Sequence, residues 1–361
     1  MRALPRNLDA RLLVGVDLLV AFGFLIVMLA LALFSPRALS FWHASVMMPF
    51  FILCALLLVA LARTLASQER SLRVLGRSAL VLLGDWLPLV VAVLAYENIH
   101  DLTYVIRPHT VDAELRLLDE QLFGVTPALA FDRITTPWLS ELMSAAYALY
   151  FVYPAALLVL LYRAGDLARF REVGLALGLC LYCGLLGYVL VPAVGPRYSM
   201  APEFTQVLTG PWLTASAARA WNLIETIDRD CFPSLHTALT LLALIYFVRL
   251  RRVLPQGRAL LVLITPLIVL LWASTMYLRY HYGVDVVAGA ALAFAVSALA
   301  PRLLRAYQGL LLRRFSLRRR RPLAWAQARL RLRPRAHRTS AGARRATRAV
   351  ARLASFGSSR R

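Results

Sequence analysis

The sequence predicts an all-α fold, a polytopic bundle of about eight membrane-crossing helices. Three observations predict it. Hydrophobic residues make up 60% of the 361, with a mean hydropathy of +0.64, too apolar for a soluble domain of this length. Eight apolar segments are long enough, or nearly so, to cross a hydrocarbon core about 30 Å thick. Arginines gather in alternate connections, which is how a polytopic chain marks its cytoplasmic side.

The segments lie near 12–34, 44–62, 79–96, 141–162, 173–192, 236–250, 259–277 and 283–300. The first is too long for the apolar part of a cleavable signal, and more spans follow, so it is expected to stay as an anchor. Arg2, Arg6 and Arg11 precede it. Arg63, Arg70, Arg73 and Arg77 lie between the second and third; Arg163, Arg169 and Arg171 between the fourth and fifth; Arg249, Arg251, Arg252 and Arg258 between the sixth and seventh. Eight spans put all of these, and both termini, on one side, the cytoplasmic one. The other side receives 35–43, 97–140, 193–235 and 278–282, where arginines are sparse over longer loops.

The first long outer segment carries Asp112, Leu115, Leu117, Leu118, Leu122 and Phe123. This pattern fits an amphipathic helix at the interface, or a plain connector. Tyr96, Tyr104, Trp138, Trp212 and Trp221 fit an interfacial aromatic belt. Glu97 and Asp101 read as solvated loop charges. Three regions follow: N-terminal helices over 1–78, a catalytic core over 79–304, and a basic tail over 305–361. The net charge is +22, yet residues 302–361 hold 19 arginines and no Asp or Glu, so residues 1–301 carry only +3. The tail composition predicts disorder and attraction to anionic lipid head groups. Arginine without a recognisable binding module gives no expectation of nucleic acid. Of four cysteines, Cys180 and Cys183 form C-x-x-C within an apolar run, and read as two small residues on one helix face rather than a redox pair.

Two stretches carry chemistry. Asp230-Cys231-Phe232-Pro233-Ser234-Leu235-His236 and Tyr277-Leu278-Arg279-Tyr280-His281-Tyr282-Gly283-Val284-Asp285 each place a histidine at the mouth of an apolar segment. A helix hairpin between them brings both to the same membrane face. Asp285 follows His281 by four residues, so the two side chains share a helix face, and the carboxylate can orient the imidazole. Ser234 suits the N-cap of the other helix, whose unpaired N–H groups favour an anion.

Two histidines, a carboxylate and nearby arginines suit phosphoryl transfer. One imidazole attacks phosphorus and the other protonates the leaving oxygen. The order follows from the surroundings. His281 has the carboxylate and is the expected nucleophile; His236, at a helix N-terminus, becomes a good acid once an anion is bound there. Arg197 in Gly195-Pro196-Arg197-Tyr198, with Arg279, Arg107 and Ser234, are the candidate phosphate ligands. Two histidines and a carboxylate also form a ligand set for Fe(II) or Zn, but arginines beside the motifs favour an anion, so no metal and no cofactor are expected. A transporter would need intramembrane charges, and only Asp17 and Asp85 lie deep, near span ends.

Phe232-Pro233-Ser234-Leu235-His236 followed by Ser274-Thr275-Met276-Tyr277-Leu278-Arg279-Tyr280-His281-Tyr282-Gly283-Val284-Asp285 resembles the type-2 phosphatidic acid phosphatase superfamily. The likeness is nearest the branch containing fungal inositol phosphorylceramide synthase. It covers roughly 80–300 as a span pattern, and only these motifs and the Gly195–Tyr198 turn are specific. The resemblance implies a metal-free enzyme working through a phosphohistidine at the extracytoplasmic or lumenal face, here of a bacterial inner membrane. It puts the acid on His236, the nucleophile on His281 and its partner on Asp285. It implies a membrane lipid substrate and head-group transfer to a sphingolipid or diacylglycerol, or else hydrolysis of phosphatidic acid or a polyprenyl (pyro)phosphate. The chain departs from the general pattern in three places. Leu235 replaces glycine, as in the synthase branch; Ser274-Thr275 replaces Ser-Arg; and Lys-x6-Arg-Pro survives only as His100 with Arg107-Pro108.

The arginine distribution makes a testable statement about sides. Single cysteines introduced as Ser216→Cys and Ser340→Cys should show opposite accessibility to an impermeant thiol reagent in intact cells. Equal labelling of both would overturn the assignment.

Overall fold

The computed structural model describes residues 14–33, 47–67, 71–224 and 228–331. Its helices are α1 (Val14–Leu33), α2 (Met47–Leu65), α3 (Leu72–Glu97), α4 (His100–Val105), α5 (Asp112–Phe123), α6 (Pro127–Asp132) and α7 (Pro137–Ala148). There follow α8 (Val152–Arg163), α9 (Leu167–Leu190), α10 (Pro196–Ser199), α11 (Thr214–Ile224), α12 (Leu235–Leu250), α13 (Gly257–Tyr277) and α14 (Gly283–Arg331). No strand occurs among the described residues; Ala193 and Asp230 form one isolated parallel bridge. The all-α expectation holds. The described residues of the apolar segments fall largely on helices. Six are of full spanning length and apolarity, and two, Phe50–Leu65 and Leu235–Leu250, are shorter.

Local chemistry sets the helix ends. Ser71, Thr136, Asp166 and Ser234 each accept a backbone N–H of the first turn they precede, satisfying a donor that the helix leaves open. Pro137 follows Thr136 at the first helical position. Because Ser71 starts α3, the boundary expected at 78/79 falls inside that helix. The apolar segment 141–162 is divided between α7 and α8. Pro154 lacks the N–H that would bond the carbonyl of residue 150, and the chain turns over 149–151. Large exposed side chains cover α1, α2 and α13, among them Phe22, Phe51, Leu58, Val262 and Leu263, a surface suited to lipid and not to water.

The chain parts into two compact units, residues 1–307 and 308–361. In the first, α12 packs against α8, α9 and α13, and close approach is built into the sequence. A Cβ at Gly184 of α9 would collide with Leu235, and one at Gly187 with Pro233. In the second, α14 continues to Arg331. The composition predicts disorder from 305 on, but Ala, Leu and Arg are strong helix formers, and the backbone is helical to that point. Residues 332–361, where the rest of that tail lies, are outside the described residues, as are the arginines before α1 and the connection 34–46.

One sequence expectation about charge is corrected. Glu97 is buried at 1% exposure, not a solvated loop charge. Asp85 is a paired structural carboxylate: it meets Arg171 Nη2 at 2.7 Å and the Tyr162 hydroxyl at 2.8 Å, with Asp85 and Arg171 at 2% and 3% exposure. The pair ties α3 to α9. Breaking a buried ion pair leaves an uncompensated charge and costs about 3–5 kcal/mol. Arg171→Ala should therefore lower the melting temperature in detergent micelles sharply, while Asp85→Asn with Arg171→Gln together should recover part of the loss. An Arg171→Ala protein melting like the parent would refute the role of this pair.

Candidate active site

Three segments converge at one end of the bundle: the turn after α9, the approach to α12, and the connection from α13 to α14. Backbone hydrogen bonds join them. Cys231 N donates to Ala193 O at 3.2 Å, Arg197 N to Arg279 O at 2.7 Å and Ser234 N to Asp285 O at 3.1 Å. Gly195 adopts φ 80°, and a Cβ there would collide with the Tyr280 carbonyl. This turn thus needs glycine both for its conformation and for the approach of the neighbouring chain. α12 is 16 residues long, about 24 Å. The irregular stretch 228–234 leads into it, so that His236 lies in its first turn.

The hairpin of α12 and α13 brings the two histidines together. His236 Nδ1 lies 3.2 Å from His281 Nε2. On the far side of the His281 ring, Nδ1 faces Asp285 Oδ2 at 3.5 Å. The same Oδ2 accepts Tyr282 N at 2.8 Å and Cys231 Sγ at 2.8 Å. A carboxylate at Nδ1 favours the tautomer protonated there, which leaves a lone pair on Nε2; the hydrogen between the rings then belongs to His236. His281 and Asp285 are buried at 3% and 0% exposure. His236 is seated among aromatic rings, 4.5 Å from Tyr147 and 4.2 Å from Tyr150 between centroids. Trp221 packs on Tyr147 at 4.9 Å. A cavity lies against both histidines, lined also by Tyr147, Val194, Tyr198, Asn222, Asp228, Asp230 and Tyr280.

The sequence-predicted phosphate ligands separate. Arg197 is at the cavity: its Nη1 donates to Tyr280 Oη at 3.1 Å and Asn222 Oδ1 at 3.3 Å, both cavity residues. Arg279 turns away. It donates to Asp132 at 2.8 Å and the Gln206 carbonyl at 2.6 Å, and lies over Phe204. Its charge is paired with Asp132 at the end of α6. Arg107 is exposed, and its carbonyl accepts from Arg229. Ser234 is fully buried and caps α12, so its hydroxyl serves the helix end. His109 is exposed, and the side chain of His100 lies outside the described residues. Trp221, expected in the aromatic belt, is instead buried beside His236, whereas Trp138 and Trp212 are exposed.

The motifs alone give no role to Cys231. It is buried, and its thiol touches Asp285 Oδ2, Tyr280 O at 3.3 Å and His281 Nδ1 at 3.7 Å. Burial pushes this thiol well above its usual range, and the Asp285 charge adds to the shift. It therefore acts as an S–H donor to the carboxylate. Its position five residues before His236 is the available sequence signal, but only the fold brings it to Asp285.

Residues 113–299 match the family described as the PAP2 superfamily. The chain belongs to the PAP2 superfamily. No curated protein and no solved structure matches it. The matched region contains α6–α13 and most of α5, with Arg197, His236, His281 and Asp285. Members of this superfamily are phosphatases and phosphotransferases, so the chain is an integral membrane enzyme acting on phosphoesters.

A carboxylate of the matched region gives the fold a pH dependence. Asp119 in α5 is fully buried. Burial raises its carboxyl to about 6 from an ordinary 3.8, against hydrogen bonds from Gly283 N and Val284 N that pull it down. The folded chain thus holds this proton more tightly than the unfolded one. Its contribution is full below the ordinary value and is lost as pH rises through about 6. The melting temperature of Asp119→Asn should vary less between pH 4 and pH 7 than that of the parent. Parallel curves would contradict this.

Proposed function

We propose that this PAP2 superfamily enzyme transfers a phosphoryl or phosphoalcohol head group from a lipid phosphoester through a phosphohistidine on His281. The carrying observation is the His236 Nδ1–His281 Nε2 contact at 3.2 Å, with Asp285 on the opposite side of the His281 ring. In this reading the substrate phosphate takes the place of the hydrogen bond between the rings. The Nε2 lone pair of His281 forms the P–N bond while the P–O bond to the leaving group breaks. Protonated His236 gives that oxygen its proton. In the second step the acceptor hydroxyl loses its proton to His236 and its oxygen bonds phosphorus, and the P–N bond breaks. Asp285 keeps the proton on Nδ1 and stabilises the cationic ring. Arg197, bonded to the cavity residues Tyr280 and Asn222, neutralises the phosphate oxygens. Arg279, Arg107 and Ser234 have no place in this scheme.

The transferase reading, similar to inositol phosphorylceramide synthase, rests on the resemblance of the Leu235-containing motif. The acceptor would be a sphingolipid or diacylglycerol, and the reaction would take place at the extracytoplasmic face. A lipid phosphatase is the second reading. The polar side chains of Asn222, Asp228 and Asp230 in the cavity lining support it, because they suit a small polar acceptor such as water.

A lipid phosphate with an activated leaving group tests the roles. His281→Ala should abolish acid-labile phosphate labelling. His236→Ala should still form the phosphoenzyme, since the leaving group needs little protonation, and discharge it slowly. Asp285→Asn should reduce turnover by roughly 10²–10⁴-fold. Peptide mapping that finds label on His236, or label persisting in His281→Ala, would reverse the assignment.

A further inference from the structure

Four carboxylates between Asp112 and Glu141 bind backbone N–H groups of other outer segments. Asp132 accepts from Thr205 N and Gln206 N, and Glu141 from Leu213 N and Thr214 N. Asp112 and Asp119 differ from these because their partners belong to the active site. Asp112 accepts from Val194 N at 3.1 Å, Gly195 N at 2.9 Å and the Tyr282 hydroxyl at 3.2 Å. Asp119 accepts from Gly283 N at 2.9 Å and Val284 N at 2.7 Å. Both side chains are buried, and they stand seven residues apart in α5, two turns along one face. Between them, Leu115 belongs to a buried apolar cluster with Ala193, Met200, Cys231 and Tyr282.

We propose that α5 is the positioning element of the active site. Asp112 holds the Gly195 turn that carries Arg197, and Asp119 holds the first turn of α14, which carries Asp285. This rests on the phosphotransfer reading above. Gly283 and Val284 present N–H groups that the helix itself cannot satisfy, and a carboxylate suits that end of the helix dipole. Asp119 supplies it from outside the helix. Asp285, in the same first turn, is left to Tyr282 N, Cys231 and His281. Without Asp119, Asp285 is the carboxylate nearest the freed N–H groups, and turning toward them takes it from His281. On the other side, the Gly195 turn is in contact with the chain that carries His281, through Arg197 N to Arg279 O. Losing Asp112 releases the turn and with it the aim of Arg197. Neither carboxylate lines the cavity, so neither is expected to touch substrate.

The two variants should differ in kind. In the full-length enzyme with an aryl phosphate substrate, Asp119→Asn should lower kcat by roughly 10²-fold with little change in KM, the size of effect that a misplaced reacting group produces. Asp112→Asn should instead raise KM with a smaller change in kcat. Asparagine keeps the shape of aspartate, so both proteins are compared at equal folded fraction, and the Ala variants should be worse at each site. Hydrogen exchange provides a readout independent of turnover: the peptide over 278–290 should exchange faster in Asp119→Asn, and that over 192–200 in Asp112→Asn. The proposal is overturned if an active parent yields Asn variants with unchanged kinetics, if kcat and KM move together in both, or if activity falls only with the folded fraction. Unchanged exchange at both peptides overturns it as well. A parent that forms no phosphohistidine sinks the phosphotransfer reading itself, a separate result that the labelling experiment detects.

Discussion

The carboxylate of Asp285 is buried at 0% exposure, and a buried charge must find donors or lose its charge. Its donors come from different parts of the chain. Tyr282 N and Cys231 Sγ both reach Oδ2, and His281 Nδ1 faces it. The backbone carbonyl of the same residue accepts from Ser234 N. The N-terminal ends of α12 and α14 are therefore joined at one residue, and the histidines at those ends are held in register. The Cys231 thiol belongs to the description of the site because it shares the Asp285 oxygen that faces His281.

The histidine pair also depends on where helices begin. α12 starts late, at Leu235 behind the Ser234 cap, and α14 starts at Gly283 directly after His281 and Tyr282. Helix N-termini beside the cavity are the usual arrangement for receiving an anion. The ring of His236 lies against Tyr147 and Tyr150, where the α7–α8 span breaks. That break, four residues before the ring nitrogen of Pro154, places aromatic surface where a straight helix would present another face.

Charge inside the bundle follows the same requirement for partners. Asp85 and Arg171 satisfy one another between α3 and α9, with Tyr162 completing the carboxylate. At the site's end of the bundle, Asp132 engages Arg279 and the backbone of 205–206. A cation that looks available in the sequence can thus be neutralised by an acid far along the chain. The side chain of Arg197, in contrast, donates to neutral groups beside the cavity, Tyr280 and Asn222.

The sequence by itself determined the local and periodic features. Apolar length placed the helices, because a hydrocarbon core demands it. Ser234 read as a cap, and His281 with Asp285 as partners one turn apart, because both relations span four residues or fewer. The pairing of His236 with His281 followed from counting the spans between them. Tertiary structure decided what depends on distant partners. It moved Arg279 to Asp132, buried Trp221 and Glu97, brought Cys231 to Asp285, and set Asp112 and Asp119 against backbone donors that carry no sequence signature. Every residue but proline presents the same N–H group, so no motif marks which of them a distant carboxylate will bind.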